Sequence, residues 1–89
     1  MSFTANEELY NALQSRLDLI KEEMISRATN TDNIELKRAL TRCLYHHGWV
    51  EGNLRHCRPV AERPAAAQAA ELSTMLQDIN RHEEDYRAI

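Results

Sequence analysis

Leu36-Lys-Arg-Ala-Leu40-Thr-Arg-Cys43-Leu-Tyr-His-His47-Gly-Trp-Val50-Glu-Gly-Asn-Leu54-Arg-His-Cys57 is the stretch that decides the fold. Leu36, Leu40, Cys43, His47, Val50, Leu54 and Cys57 recur at alternating spacings of four and three. Side chains at those intervals share one face of an α-helix and cannot share one face of a strand. Asp32 and Glu35, just upstream, have the chemistry that satisfies free amides at a helix start. Pro59 cannot continue a helix, and Arg58 before it is pushed toward an extended conformation. The pattern predicts a helix over 32–57.

The same spacing appears on both sides. Thr4-Ala5-Asn6-Glu7 reads as a capping box, and Tyr10, Leu13, Leu17, Ile20 and Met24 follow as an apolar stripe. This predicts a helix over 4–28, ended by the polar turn Ala28-Thr29-Asn30-Thr31-Asp32-Asn33. Pro64 suits a first helical position, and the run Ala65-Ala66-Ala67-Gln68-Ala69-Ala70 has high helix propensity. Leu72, Met75, Ile79, His82 and Tyr86 complete a third stripe, predicting a helix over 64–88. With 89 residues, 2 Gly and 2 Pro, the expectation is one all-α domain over 1–89. It is a helical hairpin plus a third C-terminal helix, a small bundle. A core this small gains stability when copies assemble, so an oligomer is expected.

The net charge of -3 is unevenly spread. Residues 1–35 carry three bases (Arg16, Lys21, Arg27) against seven acids. Residues 36–64 carry six bases (Lys37, Arg38, Arg42, Arg55, Arg58, Arg63) against Glu51 and Glu62. Residues 65–89 carry two bases against five acids. One consequence is helices attracting each other through opposite charge; the other is a local anion site within an acidic chain. Acidic surfaces repel phosphates in bulk, which disfavours duplex nucleic acid. No apolar run is long enough to span a bilayer and no charged-apolar-small leader is present, so a cytoplasmic protein without membrane contact is expected. Serines lack a nucleophile elbow, there is no phosphate-cradling glycine loop, and consecutive carboxylates such as Glu22-Glu23 point to different helix faces. No catalytic residues and no cofactor are assigned.

Cys43 and Cys57 lie about 21 Å apart along one helix, too far for a disulfide within a chain. Cys43, His46 and His47 within one turn, and His56-Cys57 further on, have ligand chemistry for a metal shared between chains; within one chain they cannot close a site. Gly48 and Gly52 each cost about 1 kcal/mol in a helix interior relative to alanine. Close approach of another backbone, or of a ligand, is the expected compensation. Trp49 between them, with Tyr45 one turn earlier, offers a surface for stacking a flat ring.

Ala39-Leu40-Thr41-Arg42, six residues and then Trp49 resemble the second-helix signature of the phage sponge proteins, which sequester nucleotide second messengers of the CBASS and Thoeris immune systems. Tyr10-Asn11-Ala12-Leu13 is similar to that family's first-helix Tyr-x-Ala-Leu, and Phe3-Thr4 to a Phe-Thr near its amino end. The resemblance covers residues 3–57. After the tryptophan the family continues Ala-Asn-Ala-Ala-Ile-Ala-Arg, where this chain has Val50-Glu51-Gly52-Asn53-Leu54-Arg55-His56. The resemblance implies a helical hairpin assembled into an oligomer such as a hexamer in the host bacterium. It would hold a cyclic oligonucleotide or an ADP-ribose-derived signal without cleaving it. The implied ligand-binding residues are Tyr10, Arg16, Arg42, Trp49, Arg55 and His56. Arginines suit phosphates because the guanidinium fork donates two parallel bonds; aromatic faces suit the bases. The alternative function is a helical inhibitor or adaptor that binds a host or phage protein through its acidic third helix.

Overall fold

Twenty-seven residues of α-helix at 1.5 Å per residue make a rod about 40 Å long, and such a rod sets the molecule's shape. In the computed structural model, which describes residues 2–89, three such rods lie side by side: α1 (Phe3–Thr29), α2 (Ile34–His56) and α3 (Ala65–Arg87). The bundle measures 49 × 16 × 16 Å. Among the described residues there is no strand. The expected all-α architecture is present, with helix ends within two residues of those read from the sequence.

The caps sit one or two positions from their expected places. Ser2, not Thr4, caps α1, its hydroxyl accepting from the Ala5 amide at 3.1 Å. Thr4 therefore lies inside the first turn, and the Thr4–Glu7 box does not form. Asn33, not Asp32, caps α2, its side-chain oxygen accepting from the Leu36 amide at 3.0 Å. Pro64 stands just outside α3, with an extended ψ of 128°, and the helix begins at Ala65. Each shift moves a boundary while leaving the apolar register intact.

All three stripes face inward. Leu13, Leu17, Val50, Leu54, Leu72, Met75 and Ile79 form one buried cluster; Ile20, Met24, Leu40 and Tyr86 form another further along the rod. α1 and α3 therefore run parallel, with α2 antiparallel between them in chain order. Between the two apolar clusters lies a polar layer made by His47 of α2 and His82 of α3, 0% and 1% exposed.

Two further buried amides hold the chain's turns. Gln68 donates to the carbonyls of Val60 and Arg63, both at 2.9 Å, and its oxygen accepts from the Val60 amide at 2.6 Å. This fastens the loop between α2 and α3. Asn6 donates to the Ala65 carbonyl at 2.9 Å, tying the starts of α1 and α3.

Candidate functional site: the groove between α2 and α3

Most cations outside α2 have partners. Arg16 pairs with Glu83 at 2.7 Å, Arg87 with Glu23 at 2.7 Å, and Arg63 with Glu71. Arg27 donates to the Ile89 carbonyl and lies over the Tyr86 ring. On α2 the pattern reverses. Among the described residues, Lys37, Arg38, Arg42 and Arg55 form no ion pair; the ion pair that α2 makes with α1 joins its acid, Glu51, to Lys21 at 3.5 Å. The basic charge of α2 is therefore not consumed by ion pairs between the helices.

Two shallow grooves follow one another along the α2–α3 seam. The first, about 320 Å³, is lined by Ala39, Arg42, Cys43, His46, His82, Asp85 and Ile89. The second, about 390 Å³, includes Trp49, His56, Met75 and Asp78 in its lining. His46 bridges them, because its ring stacks on Trp49 at 5.6 Å and 19° between planes. It also meets the His82 ring edge-on at 5.3 Å. The spacing 42, 46, 49, 53, 56 places these residues on the flank of α2 that faces α3.

The implied ligand-binding residues therefore divide. Arg42, Trp49 and His56 line this seam. Arg55 is exposed beside it and lines neither groove. Tyr10 is half-buried against the apolar cluster and lines neither groove. Arg16 is committed to Glu83 between α1 and α3. His46 and His82 complete the seam and were not among the expected ligand residues. His82 is hidden in the sequence as one more position of an inward stripe.

A larger groove, about 680 Å³, lies between α1 and α3. Acids line it and the α2–α3 grooves alike, Glu22 and Glu23 here and Asp85, Asp78 and Glu71 there, but its cations Arg27 and Arg87 are already engaged while Arg42 is not.

The floor of the α2–α3 seam is an inter-helix histidine pair, His47 Nδ1 to His82 Nε2 at 2.8 Å. One of these nitrogens must donate and the other accept. The outer nitrogens, His47 Nε2 and His82 Nδ1, are buried without a hydrogen-bond partner. The Glu51 carboxylate lies 3.9 Å from His47 Nε2, too far for a hydrogen bond but close enough for charge to act. A carboxylate favours a proton over a lone pair at the facing nitrogen. This selects neutral His47 carrying Nε2–H, with His82 Nε2–H donating to His47 Nδ1. His82 Nδ1 is then a bare lone pair. Burial, then the neighbouring His47 and His46, pushes the His82 pKa down to about 4; burial also lowers that of His47, against the opposing pull of Glu51.

No family model matches the chain, and no curated protein or solved structure is significantly similar to it. The site is thus read from its own chemistry.

Among the described residues, no three histidine, cysteine or acidic side chains are placed to hold one metal ion. Burial raises the pKa of both Cys43 and Cys57, so neither thiol is activated. The close approach expected at the glycines is absent: a methyl group added at Gly48 or Gly52 meets nothing within 4 Å. Trp49 and Tyr45 are 61% and 79% exposed, so neither is part of the core. No helix among the described residues is long and apolar enough to cross a membrane.

Proposed function

We propose that this protein is a non-catalytic trap for a nucleotide anion, held along the α2–α3 seam. The observation that carries the reading is the placement of the unpaired Arg42 beside the stacked His46–Trp49 pair. A guanidinium without an internal partner offers charge-assisted bonds to a phosphate. A tryptophan face left in solvent offers base stacking, worth about 1–3 kcal/mol per base. The likeness to the phage sponges supports a cyclic oligonucleotide or an ADP-ribose-derived signal as the ligand, taken up in the cytoplasm of a host bacterium. The grooves are shallow, so a second copy of the chain, in an oligomer such as a hexamer, is needed to close over the ligand.

A thermal-shift screen with cyclic di- and trinucleotides and cyclic ADP-ribose isomers tests this. A ligand should raise the melting temperature and be recovered intact after denaturation. Arg42→Glu should abolish the shift while keeping the helical circular-dichroism signal. A flat response across the panel removes the reading.

The outward stripe Ile34, Tyr45, Trp49, with Gly48 and Gly52 open beside it, favours a second reading: an adaptor that presents α2 to another protein. Its mark is a purified partner that binds stoichiometrically and is lost on Tyr45→Asp, with nucleotide binding absent. The acidic third helix remains the other surface such a partner could take, tested by deleting residues 64–89.

A further inference from the structure

The groove lined by Arg42 has a floor that ordinary surface sites lack. His82 is 1% exposed and borders the groove. Its Nε2 is occupied by His47, and its Nδ1 has no partner. A buried polar atom without a partner costs roughly 1–3 kcal/mol, so it is an exception that needs an explanation. His47 Nε2 is also without a hydrogen-bond partner, but it faces the Glu51 carboxylate at 3.9 Å, whereas His82 borders the groove.

The charges around this pair are few. From α1, Asp18 and Lys21 face His47. From α2 come His46, Glu51 and, in the groove, Arg42 and Cys43. From α3, Glu83 and Asp85 face His82. A proton added at Nδ1 of His82 would place an imidazolium beside Arg42 and His46, with Asp85 the acid in the groove wall. Without a further anion that state is unfavourable, because burial disfavours the new charge and His47 and His46 add to that, against the weaker pull of Asp85 and Glu83. With an anion in the groove it is favourable, because the new N–H and the guanidinium share the same counter-charge.

We propose that the Arg42–His46–His82 end of the seam is a proton-coupled anion site, which takes up a phosphate-type anion and a proton at His82 together. His82 staying neutral down to about pH 4 in the empty protein is the other half of the same coupling. Linkage makes the effect reciprocal: anion binding raises the readiness of His82 to accept a proton by the factor by which that proton strengthens anion binding. The inference rests on the seam reading only in taking this end as the anion's end. It needs no nucleobase.

Sulfate is the probe, because it keeps its double charge across the range while phosphate does not. Affinity for sulfate should rise as pH falls from about 6.5 to about 4, by up to about tenfold for each unit by which bound sulfate raises the His82 midpoint, the limit for one proton taken up. Fluoride at equal ionic strength serves as the screening control. Because a His82 variant disturbs the buried pair, the deciding measurement uses the unaltered chain. Long-range proton–nitrogen spectra should show His82 Nδ1 bare at neutral pH. Saturating sulfate should move its protonation midpoint upward by a unit or more. A midpoint that does not respond to sulfate overturns the proposal, as does sulfate binding of equal strength at both ends of the range. Sulfate coupling without nucleotide binding would sink the proposed function and leave this inference standing. Nucleotide binding with no pH dependence would do the reverse.

Discussion

The two seams that α3 makes with its neighbours are built on opposite principles. Against α1 the cations are engaged: Arg16 pairs with Glu83 and Arg87 with Glu23 across the helices, Arg27 donates to the Ile89 carbonyl, and the Tyr86 hydroxyl donates to Glu23 at 3.2 Å. Against α2, no ion pair joins the helices among the described residues, and one buried histidine pair replaces it. The first seam is electrostatically closed, and its exposed pairs are screened by water. The second keeps its cations free on the rim and hides its titratable groups on the floor. A closed seam holds two helices; an open one has valence left for a ligand.

Acid should break this symmetry most strongly. His82 falls from its ordinary 6.5 to about 4, and His47 is lowered too. Above 6.5 both states are neutral and nothing is gained or lost. Between 6.5 and about 4 the unfolded chain takes up a proton that the folded one refuses. Stability therefore falls as pH falls through that window, by about 3 kcal/mol for His82 alone. Urea midpoints measured from pH 7 to pH 4 check it. A flat profile down to the carboxylate range would show that the pair is not held neutral. An anion in the groove should flatten the same profile, which links this prediction to the coupled site.

Removing one partner of the pair sharpens the contrast next. His82→Leu leaves His47 Nδ1 buried without a partner, at a cost of about 2 kcal/mol. The double variant His47→Leu with His82→Leu replaces both by apolar groups of similar size. It should lose less than the sum of the single variants and lose most of the acid sensitivity. A double-mutant cycle in urea reads the coupling directly.

The glycines test how much of the outer α2 face is reserved for something other than stability. Space at Gly48 and Gly52 is open, so nothing in the monomer compensates for them. Gly48→Ala and Gly52→Ala should each stabilise by about 1 kcal/mol. If either variant stabilises the isolated chain but weakens ligand or self-association, that face is where the compensation lies.

The inward stripes were legible because a period of three and four over six turns has one physical solution. Every inward position of the third stripe, Leu72 to Tyr86, is buried. The caps were legible only as a neighbourhood: Asp32 and Asn33 are adjacent and chemically alike, and the turn geometry chose between them. The site was half legible. Arg42 and Trp49 stood out through a motif, whereas His82 sits 35 residues from its partner His47. No local pattern distinguishes a core histidine that packs from one that pairs. Tyr10 and Arg16 show what a motif does not carry, that one side chain packs against the core and the other pairs with Glu83. The glycines announced a cost, but their compensation is not written within the same chain.

The smallest effect is expected at the closed seam. Glu83 accepts from Arg16 Nε at 2.9 Å and from Arg87 at 3.2 Å, and these bonds hold its carboxyl below the usual carboxylate range. A depressed carboxyl contributes stability above its ordinary pKa and loses it as pH falls below that value. The partners are partly exposed, however, with 33% and 25% of the Arg16 and Glu83 side chains open to water. Screening reduces such pairs to below about 1 kcal/mol. Arg16→Gln should therefore lower the urea midpoint slightly at low salt and not at all at high salt, where the Debye length shrinks to about 3 Å. The acid profile between 6.5 and 4 should keep most of its size, because burial outweighs the Glu83 charge in lowering His82. A variant that abolished it would mean that α3 reports the state of one neighbour to the other, and the division of labour between the two seams would have to be abandoned.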